Sequence, residues 1–228
     1  MSNKEYNLNK DPNNKKITGY IIMIILGLCI FGWLLFNVTR FGILPFDDPV
    51  RESFYEMRHP GLNTLTELIT YTGEWPFVTA MCLLLLIYPK TRYAYGIPVS
   101  AVAILTQIVE KIIKHIVQRE RPDVSLHLIE QGGFSFPSGH SITSMAVYML
   151  LFILILSYMK KGGTKNALLI ATLILAFFVG MTRIYLGVHF PSDVLAGWSL
   201  AWVCICIVLL VKEHTKLGQK YMTPRETE

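Results

Sequence analysis

Charged side chains are scarce in this 228-residue chain: Asp, Glu, Lys and Arg together make up 16% of it. A soluble domain of this length carries more. Cysteine is also sparse, with only Cys29, Cys82, Cys204 and Cys206. All four lie inside apolar runs, and no Cys-x-x-Cys occurs, so a disulfide framework and a thiolate metal site are both disfavoured. The chain shows neither an internal repeat nor a low-complexity tract. These shortages argue against a soluble globular enzyme, a secreted disulfide scaffold and a repeat array.

What is abundant is apolar sequence, 52% of the residues, with mean hydropathy +0.43. It is clumped. Residues 17–38, 94–113, 141–159, 166–181 and 194–211 are each nearly free of charge. Runs of about 20 such residues are long enough to cross a bilayer as helices. A shorter run, 75–89, opens with Trp75-Pro76, an interfacial aromatic followed by a helix-starting proline. The reading is an all-α, integral membrane bundle of six transmembrane helices. The first apolar run is too long for a signal peptide and lacks a small-residue cleavage site, so it is expected to stay as the first span. Residues 39–74 should carry one or two short interfacial helices, broken at Pro60-Gly61 and Gly73. Residues 1–16 and 213–228 then flank a membrane domain at 17–212 as polar tails, the first of them expected to be disordered.

Six spans place the N-terminus, the loop after span 2, the loop after span 4 and the C-terminus on one side. That side holds 13 of the 21 Lys and Arg residues and 5 of the 16 acidic ones. The positive-inside rule makes it the cytoplasmic side of a cell membrane. The net charge of +5 is thus read as orientation, with no nucleic-acid partner implied. The partners expected are the bilayer and a phosphorylated membrane lipid.

Alternation of spans alone brings three polar islands to the outer face: Lys114 with Arg121-Pro122, then Ser138-Gly139-His140, then Arg183, His189 and Asp193. Spans 4 and 6 both present helix N-termini there. Ser138 suits an N-cap, Gly139 lets a ligand approach the backbone, and a helix N-terminus attracts anions. With three cations alongside, the site suits a doubly charged anion such as phosphate. Two histidines then suggest phosphoryl transfer without a metal or other cofactor. One imidazole attacks phosphorus with a carboxylate holding its other nitrogen, while the second protonates the leaving alkoxide. Asp193 suits His189 for that purpose, but spacing alone leaves open which histidine attacks.

The blocks Lys114-x6-Arg121-Pro122, Pro137-Ser138-Gly139-His140 and Arg183-x5-His189-x3-Asp193 resemble the three-part signature of the type-2 phosphatidate phosphatase superfamily. The third block often opens Ser-Arg, and here it is Thr182-Arg183. The resemblance implies His189 as nucleophile, Asp193 as its orienter and His140 as general acid. It implies Lys114, Arg121, Ser138, Gly139 and Arg183 as phosphate ligands. Within the superfamily the chain is similar to the bacterial phosphatidylglycerophosphate phosphatase B group, which overlaps in activity with undecaprenyl pyrophosphate phosphatases. The function implied is hydrolysis of a terminal lipid phosphate at the extracytoplasmic face. The alternatives are a lipid phosphotransferase sharing the phosphohistidine, or a membrane transporter, which the apolar span centres disfavour.

Other polar residues keep ordinary readings. Lys111, Arg119, Arg40, Arg51 and Arg58 read as interfacial anchors. His59, His115, His127 and His214 read as structural. Glu110, one helical turn before Lys114, either holds Lys114 in place, pairs with a neighbouring helix or faces the cavity. Gly19, Gly27, Gly180 and Gly187 are candidate points of close helix approach.

Overall fold

The computed structural model describes the backbone of residues 12–224 and the side chains of 15–224, and every regular element within that range is helical. Helix α1, Pro12–Phe41, is the first span. It starts five residues ahead of the expected apolar boundary, and the rest of the expected N-terminal tail lies outside the described residues. Two short helices follow, α2 (Asp47–Glu56) and α3 (Pro60–Tyr71). His59 caps α3, its Nδ1 accepting from the Leu62 amide at 3.3 Å, which gives that histidine the structural role expected of it. After a break at 72–74 comes α4 (Trp75–Ile87).

At 13 residues, α4 covers about 20 Å at 1.5 Å per residue, short of a bilayer's roughly 30 Å. It reaches span length only when taken with α3, from which it is bent by 47°, and the pair counts as the second span in that sense. The turn at the far end is tighter than the expected loop 89–92. Only Tyr88 is extended, and the chain re-enters helix at once through α5 (Pro89–Thr91) and a π-turn (Arg92–Gly96) into α6, Ile97–Val117. Span 3 thus runs over Pro89–Val117. A loop with one 3₁₀ turn at Val124–Leu126 leads to α7 (Gly139–Tyr158), α8 (Gly163–Tyr185) and α9 (Pro191–His214), and a short α10 (Lys216–Tyr221) closes the described chain. The six-span bundle with short helices after span 1 is what the apolar pattern predicted.

Helix α7 sits at the centre. It has the largest buried share of any span, and it packs on α6, α8 and α9. A helix apolar all round belongs in such a position. Helix α1 is the most peripheral span and leans on α9. Its outward face carries Ile21, Ile22, Ile25, Leu26, Trp33 and Phe36, a surface suited to lipid and not to water. The α1–α9 contact depends on Gly27, where a Cβ would stand 2.9 Å from the Ser199 carbonyl. Gly180 similarly faces Trp198, whereas Gly19 meets nothing within 4 Å.

The C-terminal ends of α6 and α8 and the N-terminal ends of α7 and α9 lie at the same end of the bundle, and α2 and α3 fold across it. Arg58, in the link between α2 and α3, fastens this cover. It donates to the Tyr185 carbonyl at 2.7 Å and the Leu126 carbonyl at 3.0 Å while stacking on Tyr55. Arg58 is thus a tie between three segments, not an interfacial anchor. Gly187 lies beneath it at φ +81°, packed against the Leu126 carbonyl, where the left-handed backbone and the lack of space both require glycine.

Candidate active site

A cleft of about 390 Å3 opens at this end of the bundle, with Gly139 and His140 from the start of α7, Lys114 and Glu110 from the end of α6, and Arg121 and His189 from the two loops in its walls. The broken second span also borders it, through Gly73, Glu74 and Trp75.

The geometry at His189 fixes its tautomer. Nδ1 lies 3.3 Å from Asp193 Oδ2, and Nε2 lies 3.0 Å from Arg121 Nη1. A carboxylate accepts and a guanidinium donates. Nδ1 therefore carries the hydrogen, and Nε2 accepts from Arg121 where His189 lines the cleft. Burial holds the His189 imidazole down to about 3, Arg121 and Arg183 push the same way, and the hydrogen bond to Asp193 opposes them. The ring is neutral at physiological pH.

Asp193 is fully buried in the first turn of α9. Its Oδ2 also accepts from the Phe190 amide at 2.9 Å, capping the helix, and from the Ser135 hydroxyl in a short bond. Its Oδ1 accepts from Arg119 Nη1 at 2.5 Å. Four groups thus hold one carboxylate in a single orientation.

Arg121 is held as firmly. Its guanidinium donates to the carbonyls of Gly132, Gly133, Phe134 and Val188 as well as to His189. Burial draws it below its usual pKa, with Asp193 and Glu110 opposing. Lys114 Nζ pairs with Glu110 Oε1 at 2.8 Å, and Gln107 donates to Glu110 Oε2 at 2.9 Å. Of the readings open for Glu110, pairing with Lys114 is the one observed, and its carboxylate also lines the cleft. It presses against Gly139 so closely that a Cβ there would stand 2.5 Å from Glu110 Cδ.

Ser138 and Arg183 lie behind the cleft wall. The Ser138 hydroxyl caps α7 through the Ser141 amide at 3.4 Å and accepts from the Ser141 hydroxyl at 2.8 Å, while its own amide donates to the Asp193 carbonyl. Arg183 is completely buried, with Nη1 donating to Thr70 Oγ1 at 2.8 Å and Nη2 bound to Gln131 Oε1. Its Nε and His140 Nε2 are buried without a hydrogen-bond partner. Two unpaired buried nitrogens beside a polar cleft suit an anionic ligand.

Four contributors went unread in the sequence. Arg119 is buried on Asp193 and Asp47 instead of anchoring at the interface. Asp47 holds the α9 N-terminus through the Ser192 amide at 2.9 Å. Ser135 and Gln131 grip Asp193 and Arg183. None has a local signal, because each partner is far away in sequence. His127 keeps its structural reading, bonded to the Pro122 carbonyl at 3.0 Å.

The family model described as PAP2 superfamily matches residues 95–216, enclosing all three polar islands. Phosphatidylglycerophosphatase B of Bacillus subtilis is 30% identical over 175 residues, which cover 75% of this chain and 85% of that one. The lipid A 1-phosphatase of Rhizobium etli is 28% identical over 197 residues, 74% of this chain and 77% of that one. Among solved structures, a transmembrane PAP2-type phosphatidylglycerolphosphate phosphatase from Bacillus subtilis matches with TM-score 0.74 at 27% identity, over 85% of this chain and 97% of that one. Family and relatives agree on hydrolysis of phosphorylated lipids within a membrane. This chain belongs to the PAP2 superfamily and is a multi-pass membrane lipid phosphatase.

Proposed function

We propose that the protein removes the terminal phosphate of phosphatidylglycerophosphate, of undecaprenyl pyrophosphate or of phosphatidate at the extracytoplasmic face, through a phosphohistidine on His189. The observation that carries this reading is the unprotonated Nε2 of His189, in the wall of a cleft beside Lys114 and bonded to Arg121, while Asp193 holds Nδ1; Arg121 turns from Nε2 to the phosphate when the substrate enters. The uneven division of Lys and Arg supports the outward site and cytoplasmic termini flanking the membrane domain at 17–212.

The chemistry runs in two displacements. Nε2 attacks phosphorus, the P–O bond to the lipid breaks, and the bond pair leaves on the lipid oxygen. His140, protonated once the phosphate anion offsets the cations around it, gives that oxygen its proton. Water then attacks the phosphohistidine, losing a proton to His140, and the P–N bond breaks to release inorganic phosphate and restore neutral His189. Charge on the phosphoryl oxygens is met by Lys114, Arg121 and Arg183, with the amides at the start of α7 and the Ser138 hydroxyl completing the ligand set. Glu110 fixes the Lys114 ammonium.

The test is phosphate release from these three lipids by purified protein, with a rapid quench into alkali to preserve the P–N bond. We expect a labelled intermediate in the wild type, none in His189→Ala, and full activity in EDTA. Turnover by pure His189→Ala at the wild-type rate refutes the nucleophile, and strict dependence on Mg²⁺ refutes the cation-only mechanism.

A further inference from the structure

Behind Asp193 lies a second buried carboxylate that the phosphoryl-transfer chemistry does not use. Asp47, at the start of α2, is completely buried. Its Oδ2 accepts from the Leu44 amide at 3.0 Å, the Ser192 hydroxyl at 2.8 Å and Arg119 Nη2 at 3.0 Å, and its Oδ1 accepts from the Ser192 amide at 2.9 Å. Arg119 stands between the two carboxylates. Nη1 goes to Asp193 Oδ1 at 2.5 Å and the Ser192 hydroxyl at 2.8 Å, while Nη2 goes to Asp47 and the Gly42 carbonyl at 2.7 Å. Its guanidinium carbon lies 4.0 Å from the centre of the Phe190 ring.

The backbone is bent to put it there. Helix α6 ends at Gln118, which adopts the left-handed conformation at φ 50°. A residue other than glycine pays strain in that region. Without the break the helix would continue, and Arg119 would leave on another course. A fork split between two carboxylates also differs from an ordinary buried ion pair, in which both arms serve one partner. The split has a consequence for the nucleophile. Arg119 occupies Asp193 Oδ1, so the carboxylate cannot exchange its oxygens, and Oδ2 is left facing His189 Nδ1.

We infer that Arg119 is a positioning residue for phosphoryl transfer, anchored by Asp47, so that the segment joining α1 to α2 sets the orientation of the nucleophile's carboxylate. The inference rests on the reading of His189 as nucleophile and Asp193 as its orienter. Arg119 touches no substrate in this scheme; it acts through Asp193.

A mutant cycle on the purified full-length protein, with phosphatidate in mixed micelles as probe, decides it. Arg119→Gln is expected to lower kcat by about 30- to 100-fold, the scale seen when the partner of a ligating side chain is removed elsewhere, with KM changed less than about threefold. Arg119→Lys keeps a cation and recovers about a third of that loss on a logarithmic scale, because one ammonium cannot span both carboxylates. In an Asp193→Asn background, assayed at raised enzyme concentration, Arg119→Gln changes kcat by less than about twofold, since the group it orients is already gone. Wild-type kcat in Arg119→Gln, or an equal loss in both backgrounds, overturns the inference. Where Arg119→Gln fails to fold, Asp47→Asn, which keeps the side chain's shape and one accepting oxygen but removes the charge facing Arg119, is judged by the same comparison at an expected loss of about three- to tenfold. Asp193→Asn at the wild-type rate would instead strike the His189–Asp193 reading, and this inference with it.

Discussion

Gly139→Ala separates the shape of the site from its stability. Gly139 is a helical residue in the first turn of α7, so its backbone accepts alanine. The new Cβ, however, would stand 2.5 Å from Glu110 Cδ and 2.7 Å from Oε2, where ordinary contact begins at 3.4 Å. The carboxylate must therefore retreat by about 1 Å. It is the far end of a flexible side chain, so the fold survives. Overpacking costs about 1–3 kcal/mol, partly offset by the ~1 kcal/mol preference for alanine over glycine in a helix. The retreat pulls Glu110 away from Lys114 and Gln107, which it now holds at 2.8 and 2.9 Å. A misplacement of about 1 Å at reacting groups is worth roughly 10²-fold in rate. Phosphate release should thus fall by about 30- to 100-fold while the melting midpoint of the detergent-solubilised protein moves only a few degrees. Adding Glu110→Asp, which withdraws the carboxylate by one methylene, should recover part of the loss. Wild-type turnover in Gly139→Ala refutes the argument. So does a loss that Glu110→Asp leaves unchanged, which would mean that the Cβ obstructs the phosphate directly.

Two further outcomes are expected. His189 has its pKa lowered from 6.5 to about 3 by burial, so between those values the unfolded chain binds a proton that the folded one refuses; stability is whole above about 6.5, falls as pH drops through the window and levels off below 3. Thermal melts of His189→Gln across pH 7 to 4 should show a shallower decline than the wild type, and parallel curves would show that the imidazole is not held neutral. A cysteine placed at the exposed Glu130 should react with a membrane-impermeant maleimide in intact cells, and labelling that needs lysis would invert the orientation.

The legible part of this protein is the part carried by short-range pattern. Apolar run length gave the spans, Pro60-Gly61 and Gly73 marked the breaks around α3, and the histidine four residues before Asp193 announced the pair. Glu110 and Lys114 were readable as an i,i+4 pair because both lie on one helix. Arg119 was not readable. Its place depends on one left-handed residue, Gln118, and nothing in the sequence around a glutamine announces positive φ. Asp47 is an acid in the first turn of α2, an ordinary place for one, yet its side chain serves the N-terminus of α9, 145 residues away. The partners of Arg183, Thr70 and Gln131, come from separate segments that meet only after α3 folds over the bundle end. Spacing tells which residues share a helix face; it does not tell which loop closes on which.

The cations of this site are also its scaffold. Arg121 binds four carbonyls from two segments, Arg119 joins two carboxylates from helices α2 and α9, and Arg183 joins α3 to the loop before α7. A buried charge without partners costs several kcal/mol, and removing one partner of a buried pair typically costs about 3–5 kcal/mol. Folding in an apolar chain is therefore possible only with these groups already in place, so a lipid phosphate meets charges that need not reorganise, which is the condition under which fixed dipoles and cations accelerate a reaction most. The same rigidity limits what the cations can discriminate. A terminal phosphate looks alike on any lipid, and choice among lipids has to come from walls that the cations do not fix: Glu74 and Trp75 at the break of the second span, and Glu130 on the loop opposite.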